Sequence, residues 1–280
     1  MSSDFNSESE IPPNSIEDTE YTTPTSNKFS EVTPPPPDAQ VPDGTLEPPI
    51  LATDTIAESE VQTNIPPSVD QDNTSTPMNA SKYPIHTDIT ATVFWVGEPE
   101  GNGSSEDNAL SAWDDRWQEH YGGYDDPFNR NGYYPKSFIP LENPFYFDLP
   151  YNDFTNEGER KAEAYSVVYW ADEREWNSQE SMLKNRWAKI WIGDRICFAQ
   201  WEDSGPYEYD DHAYVFGNSR PNNRRANNAG MDVSPAVRDC LGFEGLNNDV
   251  NRVSWQFIDS DAVPEGPWSE IVTTSGTTWE

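Results

Sequence analysis

Trp187-Ala-Lys-Ile-Trp-Ile-Gly-Asp-Arg-Ile-Cys-Phe-Ala-Gln-Trp-Glu-Asp-Ser-Gly-Pro-Tyr207 is the stretch on which the fold turns. Two runs of β-branched and aromatic residues, Trp187–Ile192 and Arg195–Trp201, flank a Gly193-Asp194 dipeptide. Such residues suit a pleated, half-buried surface, and the dipeptide is turn chemistry, so the stretch reads as a β-hairpin. The second strand runs into Asp203-Ser-Gly-Pro206, which reads as a turn.

Downstream, Ser234-Pro235 opens Ala-Val-Arg-Asp-Cys-Leu241, and Gly242 closes it. That pattern predicts a short helix, with a serine cap, proline at the first position and glycine as the stop. Arg252-Val-Ser-Trp-Gln-Phe-Ile258 alternates cleanly and predicts a strand with Val253, Trp255 and Phe257 on one face. Upstream, Ile89–Val96 predicts a strand, and Gly97–Asp107 a loop. Leu110, Trp113, Trp117 and Tyr121 share a helical face, which predicts a helix over 110–121 ended by Gly122-Gly123. Residues 122–160 show no sustained period and read as ordered loops with short strands such as Phe145-Tyr-Phe147. Tyr165–Tyr169 reads as a strand.

Three pieces in fixed order carry a resemblance: the hairpin ending in Asp203-Ser-Gly-Pro-Tyr207, the segment Met231-Asp-Val-Ser234 with Leu241-Gly242, and the closing strand Val253–Ile258. Together they resemble the double-psi β-barrel of the rare lipoprotein A and expansin superfamily. Thr90–Trp95 is similar to that family's opening strand, and Lys184–Trp187 followed by Ala199–Asp203 resembles an uncharacterised bacterial subgroup of it. The expected fold is therefore mainly β, a six-stranded double-psi β-barrel with short helices. Residues 97–186 match nothing in the pattern and are expected to be a long, loop-rich insertion.

The superfamily includes lytic transglycosylases acting on peptidoglycan, inverting cellulases, and expansins that loosen walls without hydrolysis. The resemblance implies Asp232 as general acid, with Asp203 beside it in a surface groove. Cleaving a glycosidic bond needs a proton on the leaving oxygen, so one carboxyl must stay protonated near neutral pH. Met231 and Val233 flank Asp232 and offer the apolar surroundings that raise a carboxyl pKa. A transglycosylase can use one acid/base, whereas an inverting hydrolase needs a second carboxylate about 6.5–9.5 Å away. Structural roles compete with these: Asp203 could accept backbone amides in its turn, and Asp232 could brace the start of the helix. If both aspartates open onto one aromatic-lined cleft, the sugar readings stand. If either is held against backbone amides, or the insertion fills the cleft, a bare scaffold is favoured.

Trp201, Tyr207, Tyr209 and Tyr214 are candidates for stacking on sugars, since flat rings cover the apolar faces of pyranoses. Trp187, Trp191 and Trp255 read as core. Arg220, Arg224 and Arg225 form a cationic cluster that could bind a carboxylate of a stem peptide or acidic sugar, or could neutralise Asp210, Asp211 and Asp239. Cys197 and Cys240 could form one disulfide or stand as two buried thiols. With three histidines, no EF-hand spacing and no phosphate or dinucleotide loop, neither metal nor cofactor is expected.

Composition divides the chain. Residues 1–82 hold 13 of the 25 prolines, none of the 11 tryptophans, and 15 acidic against 2 basic residues. Such a segment cannot bury enough apolar surface to offset its chain entropy, so an acidic disordered tail is expected there, with a stiff spacer at Pro34–Pro37. Residues 83–280 carry 35 acidic and 15 basic residues and are expected to form one domain, acting as a monomer. The net charge of -33 offers no basic stripe for phosphate, which argues against nucleic acid and against an anionic membrane surface. No apolar run is long enough to span a membrane. Met1-Ser-Ser-Asp-Phe5 lacks the basic and apolar regions of a signal peptide, yet a long tail before a compact domain typifies surface-tethered modules. An extracellular or cell-envelope location is the expectation, with the cytoplasm left open. The expected partner is a polysaccharide such as peptidoglycan, either cleaved or only bound.

Overall fold

In the computed structural model the hairpin forms as the pairing rules require. The model describes residues 82–101, 104 and 107–276, so the tail expected over 1–82 lies, but for Lys82, outside the described residues. In chain order the strands are β1 (His86–Val93), β2 (Arg130–Asn131), β3 (Tyr134–Pro135), β4 (Tyr146–Leu149), β5 (Trp187–Ile192), β6 (Arg195–Ser204), β7 (Met231–Val233) and β8 (Arg252–Ile258). The helices are α1 (Trp117–Tyr121), α2 (Ala164–Val167), α3 (His212–Val215) and α4 (Pro235–Leu241). β2 and β3 make a small separate hairpin.

The other six strands close into a barrel in the order β1-β7-β4-β6-β5-β8. The pairs β1/β7 and β4/β6 are parallel and the rest antiparallel. This closed, mixed, six-stranded barrel is compatible with a double-psi barrel.

Alternation fills the interior. Ala188 and Ile190 of β5, Cys197, Ala199 and Trp201 of β6, and Val253, Trp255 and Phe257 of β8 are all buried. Ala188 faces Ala199 across the hairpin, leaving room for the neighbouring rings. Trp201 stacks on Phe257 at 5.7 Å between centroids, and Trp255 meets Phe257 edge-on at 5.0 Å. Each such side chain, fully buried, contributes about 1.5–3 kcal/mol before the entropy of ordering it is counted.

α4 forms as its sequence signals. The Ser234 hydroxyl accepts from the Val237 amide at 3.2 Å, and Pro235 occupies the first position. Gly242 ends the helix at φ 62°, where a Cβ would also fall 2.1 Å from the Arg195 guanidinium.

Three expectations are corrected. The stretch 97–186 is not wholly insertion: β4 lies inside it and pairs with both β6 and β7 as a barrel strand. The helix expected over 110–121 is confined to α1. Ahead of it, Ser111 and Asp114 pair through their backbones, and Asp114 Oδ1 accepts from the Arg116 amide at 2.9 Å. These local bonds compete with the helical ladder. Trp113, Trp117 and Tyr121 are still buried, but Leu110 is exposed. Tyr165–Tyr169 forms no strand; it carries the single turn α2, with Val168 inward and Tyr165 and Tyr169 exposed.

Outside the barrel, Phe94, Val96, Trp117, Tyr121 and Tyr146 form a second apolar cluster that docks α1. Beneath it the Tyr146 hydroxyl donates to buried Asp125 at 2.8 Å, and Arg130 pairs with the same carboxylate. Arg160 pairs with buried Asp153 at 2.5 Å, and Lys184 with buried Glu202 at 2.5 Å. The loops of 97–186 are thus pinned to the barrel by rings and by paired charges.

Candidate active site

Strand register builds the site. Thr92 of β1 stands opposite Asp232 of β7, Asp232 opposite Asp148 of β4, and Asp148 opposite Asp203 of β6. Four neighbouring strands therefore set a hydroxyl and three carboxyls in one transverse row. The row forms one wall of a small cavity of about 120 Å³, whose other walls include Trp95, Glu98, Tyr207 and Tyr209.

Asp148 is buried at the middle of the row. Its Oδ1 accepts from the Asp232 amide at 2.9 Å. Burial first, then the charges of Asp232 and Asp203, hold its pKa well above the usual carboxylate range. Gly205 lies against Asp148, and a Cβ there would come within 2.6 Å of its Oδ2. This close approach explains the glycine of the Asp203-Ser-Gly-Pro206 motif better than a turn does, because Asp203 and Ser204 are the last residues of β6.

Asp232 is half-buried between buried Met231 and Val233. Burial pushes its pKa up to about 6, against the Thr92 hydroxyl, which donates to Oδ1 and favours the ionised form. Glu98 is 6% exposed, and burial followed by the Asp232 charge pushes it up to about 8. The cavity thus holds Asp232, pushed up to about 6, beside Glu98 and Asp148, both also pushed upward by burial.

Asp203 is placed differently. Its Oδ1 accepts from the Ala112 and Ser204 amides, both at 2.7 Å. It lines the same cavity as Asp232, but one of its oxygens is held by backbone.

Of the expected stacking residues, Tyr207 and Tyr209 are half-buried and line the cleft. The Arg225 guanidinium sits 5.3 Å from the centre of the Tyr207 ring. Trp201 and Tyr214 lie in the core instead: both are fully buried, and the Tyr214 hydroxyl accepts from Trp255 Nε1 at 2.9 Å. Alternation along β6 turns Trp201 inward, and α3 carries Tyr214 onto the barrel.

The three arginines make separate contacts with the protein. Arg220 donates to the Thr87 and Asp88 carbonyls, and Arg224 to the Pro221 and Asn223 carbonyls. Asp210, Asp211 and Asp239 take other partners in Lys161, Asn222 and Arg238. Cys197 is buried and Cys240 half-buried; both are free thiols, donating to the Phe198 carbonyl at 3.9 Å and the Ile196 carbonyl at 3.6 Å respectively.

The chain matches no protein-family model and no curated protein.

Two carboxyls of this cavity, Asp148 in the row and Glu98 in the facing wall, escaped the sequence reading. Asp148 carried a signal, a lone carboxylate in the apolar run Phe145-Tyr-Phe-Asp-Leu149. A charge is rarely fully buried without a partner or a function. Glu98 sits in a stretch rich in Gly, Ser and Glu, and nothing local distinguishes it from its solvated neighbours.

Proposed function

We propose that this domain acts on a cell-wall polysaccharide, cleaving a glycosidic bond with Asp232 as the general acid. The observation that carries the reading is the half-buried Asp232 carboxyl, set in a cleft between a Thr92 hydroxyl and buried Asp148 and overlooked by Tyr207 and Tyr209. A general acid works best with a pKa near the working pH, and about 6 suits that task. The closed barrel and the motif order support a relationship to the rare lipoprotein A and expansin superfamily, and with it an extracellular or cell-envelope location.

Among such activities, a lytic-transglycosylase type fits best. Asp232 gives its proton to the leaving oxygen as the C–O bond breaks. A hydroxyl of the same sugar attacks the anomeric carbon, and its proton returns to Asp232. One acid/base completes the cycle, so no water-activating carboxylate is required. Asp203, the expected partner, is partly committed to the Ala112 and Ser204 amides.

That commitment counts for the bare scaffold, a domain that keeps the barrel without acting on a glycan, and between it and the enzyme stands a module that binds or loosens a wall glycan without turnover. Incubation of the full chain and its Asp232→Asn variant with purified peptidoglycan, cellulose and chitin separates the three. Loss of about 10²-fold or more of product release in the variant supports the enzyme. Binding without release, equal in both proteins, supports the module. Neither release nor pull-down overturns both and leaves the scaffold.

A further inference from the structure

Away from the carboxyl cleft, the chain's only two cysteines meet where β6 lies against α4. Cys197 is fully buried on β6, opposite Ile190 of β5. Cys240 is half-buried near the end of α4. It lies against the same apolar cluster that contains Cys197, Ala236, Val237 and Leu241. Cys240 Sγ donates to the Ile196 carbonyl at 3.6 Å. That carbonyl belongs to the peptide leading into Cys197, so the Cys240 sulfur sits over β6 one residue from the other cysteine.

We propose that Cys197 and Cys240 form a redox site: a small disulfide donor closes them into a bond that latches α4 to β6, and a thiol reductant reopens it. The proposal does not depend on the glycan reading.

The surroundings give the two sulfurs different parts. Burial, and then the Cys240 thiol, hold Cys197 well above the usual thiol range. Cys240 is held below that range by the Cys197 thiol, with burial opposing. The more accessible sulfur is thus also the better thiolate, and it reacts first while the buried one resolves. The Cys240 thiolate attacks one sulfur of a donor such as oxidised glutathione. A Cys240–glutathione bond forms, the donor's own S–S bond breaks, and one glutathione leaves. Cys197 Sγ then attacks Cys240 Sγ and expels the second. The two cysteine protons end on the two departing glutathione thiols. The cysteine pair is oxidised by two electrons and the donor is reduced by two.

The latch encloses residues 198–239, which carry Asp203, Tyr207, Tyr209 and Asp232. Closing a loop of that length restricts the unfolded chain and so favours the folded one. α4 starts two residues after β7, so fixing α4 to β6 also braces the strand that presents Asp232.

Mass and melting temperature test the latch. The full chain is reduced, freed of reductant and incubated in its folded state with millimolar oxidised glutathione. It is then unfolded, alkylated and weighed. The expected product has lost two hydrogens, carries neither glutathione nor alkyl group, and yields one linked peptide pair holding Cys197 and Cys240. Its melting temperature should exceed that of the reduced chain by about 5 °C or more, and dithiothreitol should abolish the difference. Cys197→Ala should retain one glutathione on Cys240, whereas Cys240→Ala should leave Cys197 free. Two alkyl groups on the treated wild type, a wild type that stops at the mixed disulfide, a bond between two chains, or an unchanged melting temperature overturns the proposal. The wild-type readouts decide it even if Cys197→Ala fails to fold. Glycan release plays no part in them, so the latch and the glycosidic reading fail separately.

Discussion

At the scale of single residues, the Thr92–Asp232 pair gives the sharpest expectation. The Thr92 hydroxyl donates to Asp232 and stabilises its ionised form, opposing the upward push of burial. Thr92→Val removes the donor and keeps the shape, so the Asp232 pKa rises above about 6. If Asp232 is the acid, the limb of the pH–rate profile on which activity falls with rising pH moves upward. A profile of glycan release from pH 4.5 to 8.5 checks this, and an unmoved or lowered limb refutes the role. The same row shows what was legible residue by residue. Asp232 and Asp203 stood in recognisable motifs. Asp148 carried a local signal that was passed over, a carboxylate inside an apolar run, while Glu98 sits in a loop whose sequence does not show that it folds against Asp232.

At the scale of elements, legibility followed locality. β5, β6, α4 and β8 were readable because a turn dipeptide, a cap or an alternation fixes each within a few residues. β4 was read only in part, as a short strand at Phe145–Phe147 among loops, because all four of its residues are buried, which erases alternation, and Pro144 and Pro150 bracket so short a run. The helical face of 110–121 was real as a list of buried rings, but aspartate side chains captured the backbone first. Asp203 ties this segment down, joining β6 to Ala112 through one carboxylate oxygen. Asp203→Ala therefore leaves the Ala112 amide without its partner. The expected cost is about 1–3 kcal/mol in urea unfolding. Faster amide exchange should appear at Ala112 while the β5–β6 ladder stays protected. An unchanged midpoint would show that water or another group replaces the carboxylate fully.

At the scale of the whole molecule, the site should make stability fall as pH rises. Glu98 is pushed up to about 8, while an unfolded glutamate titrates near its model value of 4.5. Between those values the unfolded chain binds fewer protons than the folded one, so unfolding grows easier with pH, by about 1.4 kcal/mol per unit for each group held protonated. The contribution is fully present below pH 4.5, is lost through the interval, and levels off above about 8. Asp148 acts in the same direction, as does Glu202, pushed up to about 7. His86 opposes them only at lower pH, because burial lowers it from 6.5 to about 4. His86 therefore softens the decline near pH 6.5 and loses its influence toward pH 8. Self-repulsion among the domain's many carboxylates adds to the decline. A comparison with Glu98→Gln cancels that background. Urea unfolding at pH 6.5, 7.25 and 8 should give a shallower decline in the variant, by about one proton's worth of slope. Equal slopes would mean that Glu98 is ionised in the folded protein. The cavity would then hold two negative charges at neutral pH, and Asp232 would face a charged neighbour rather than a proton-bearing one.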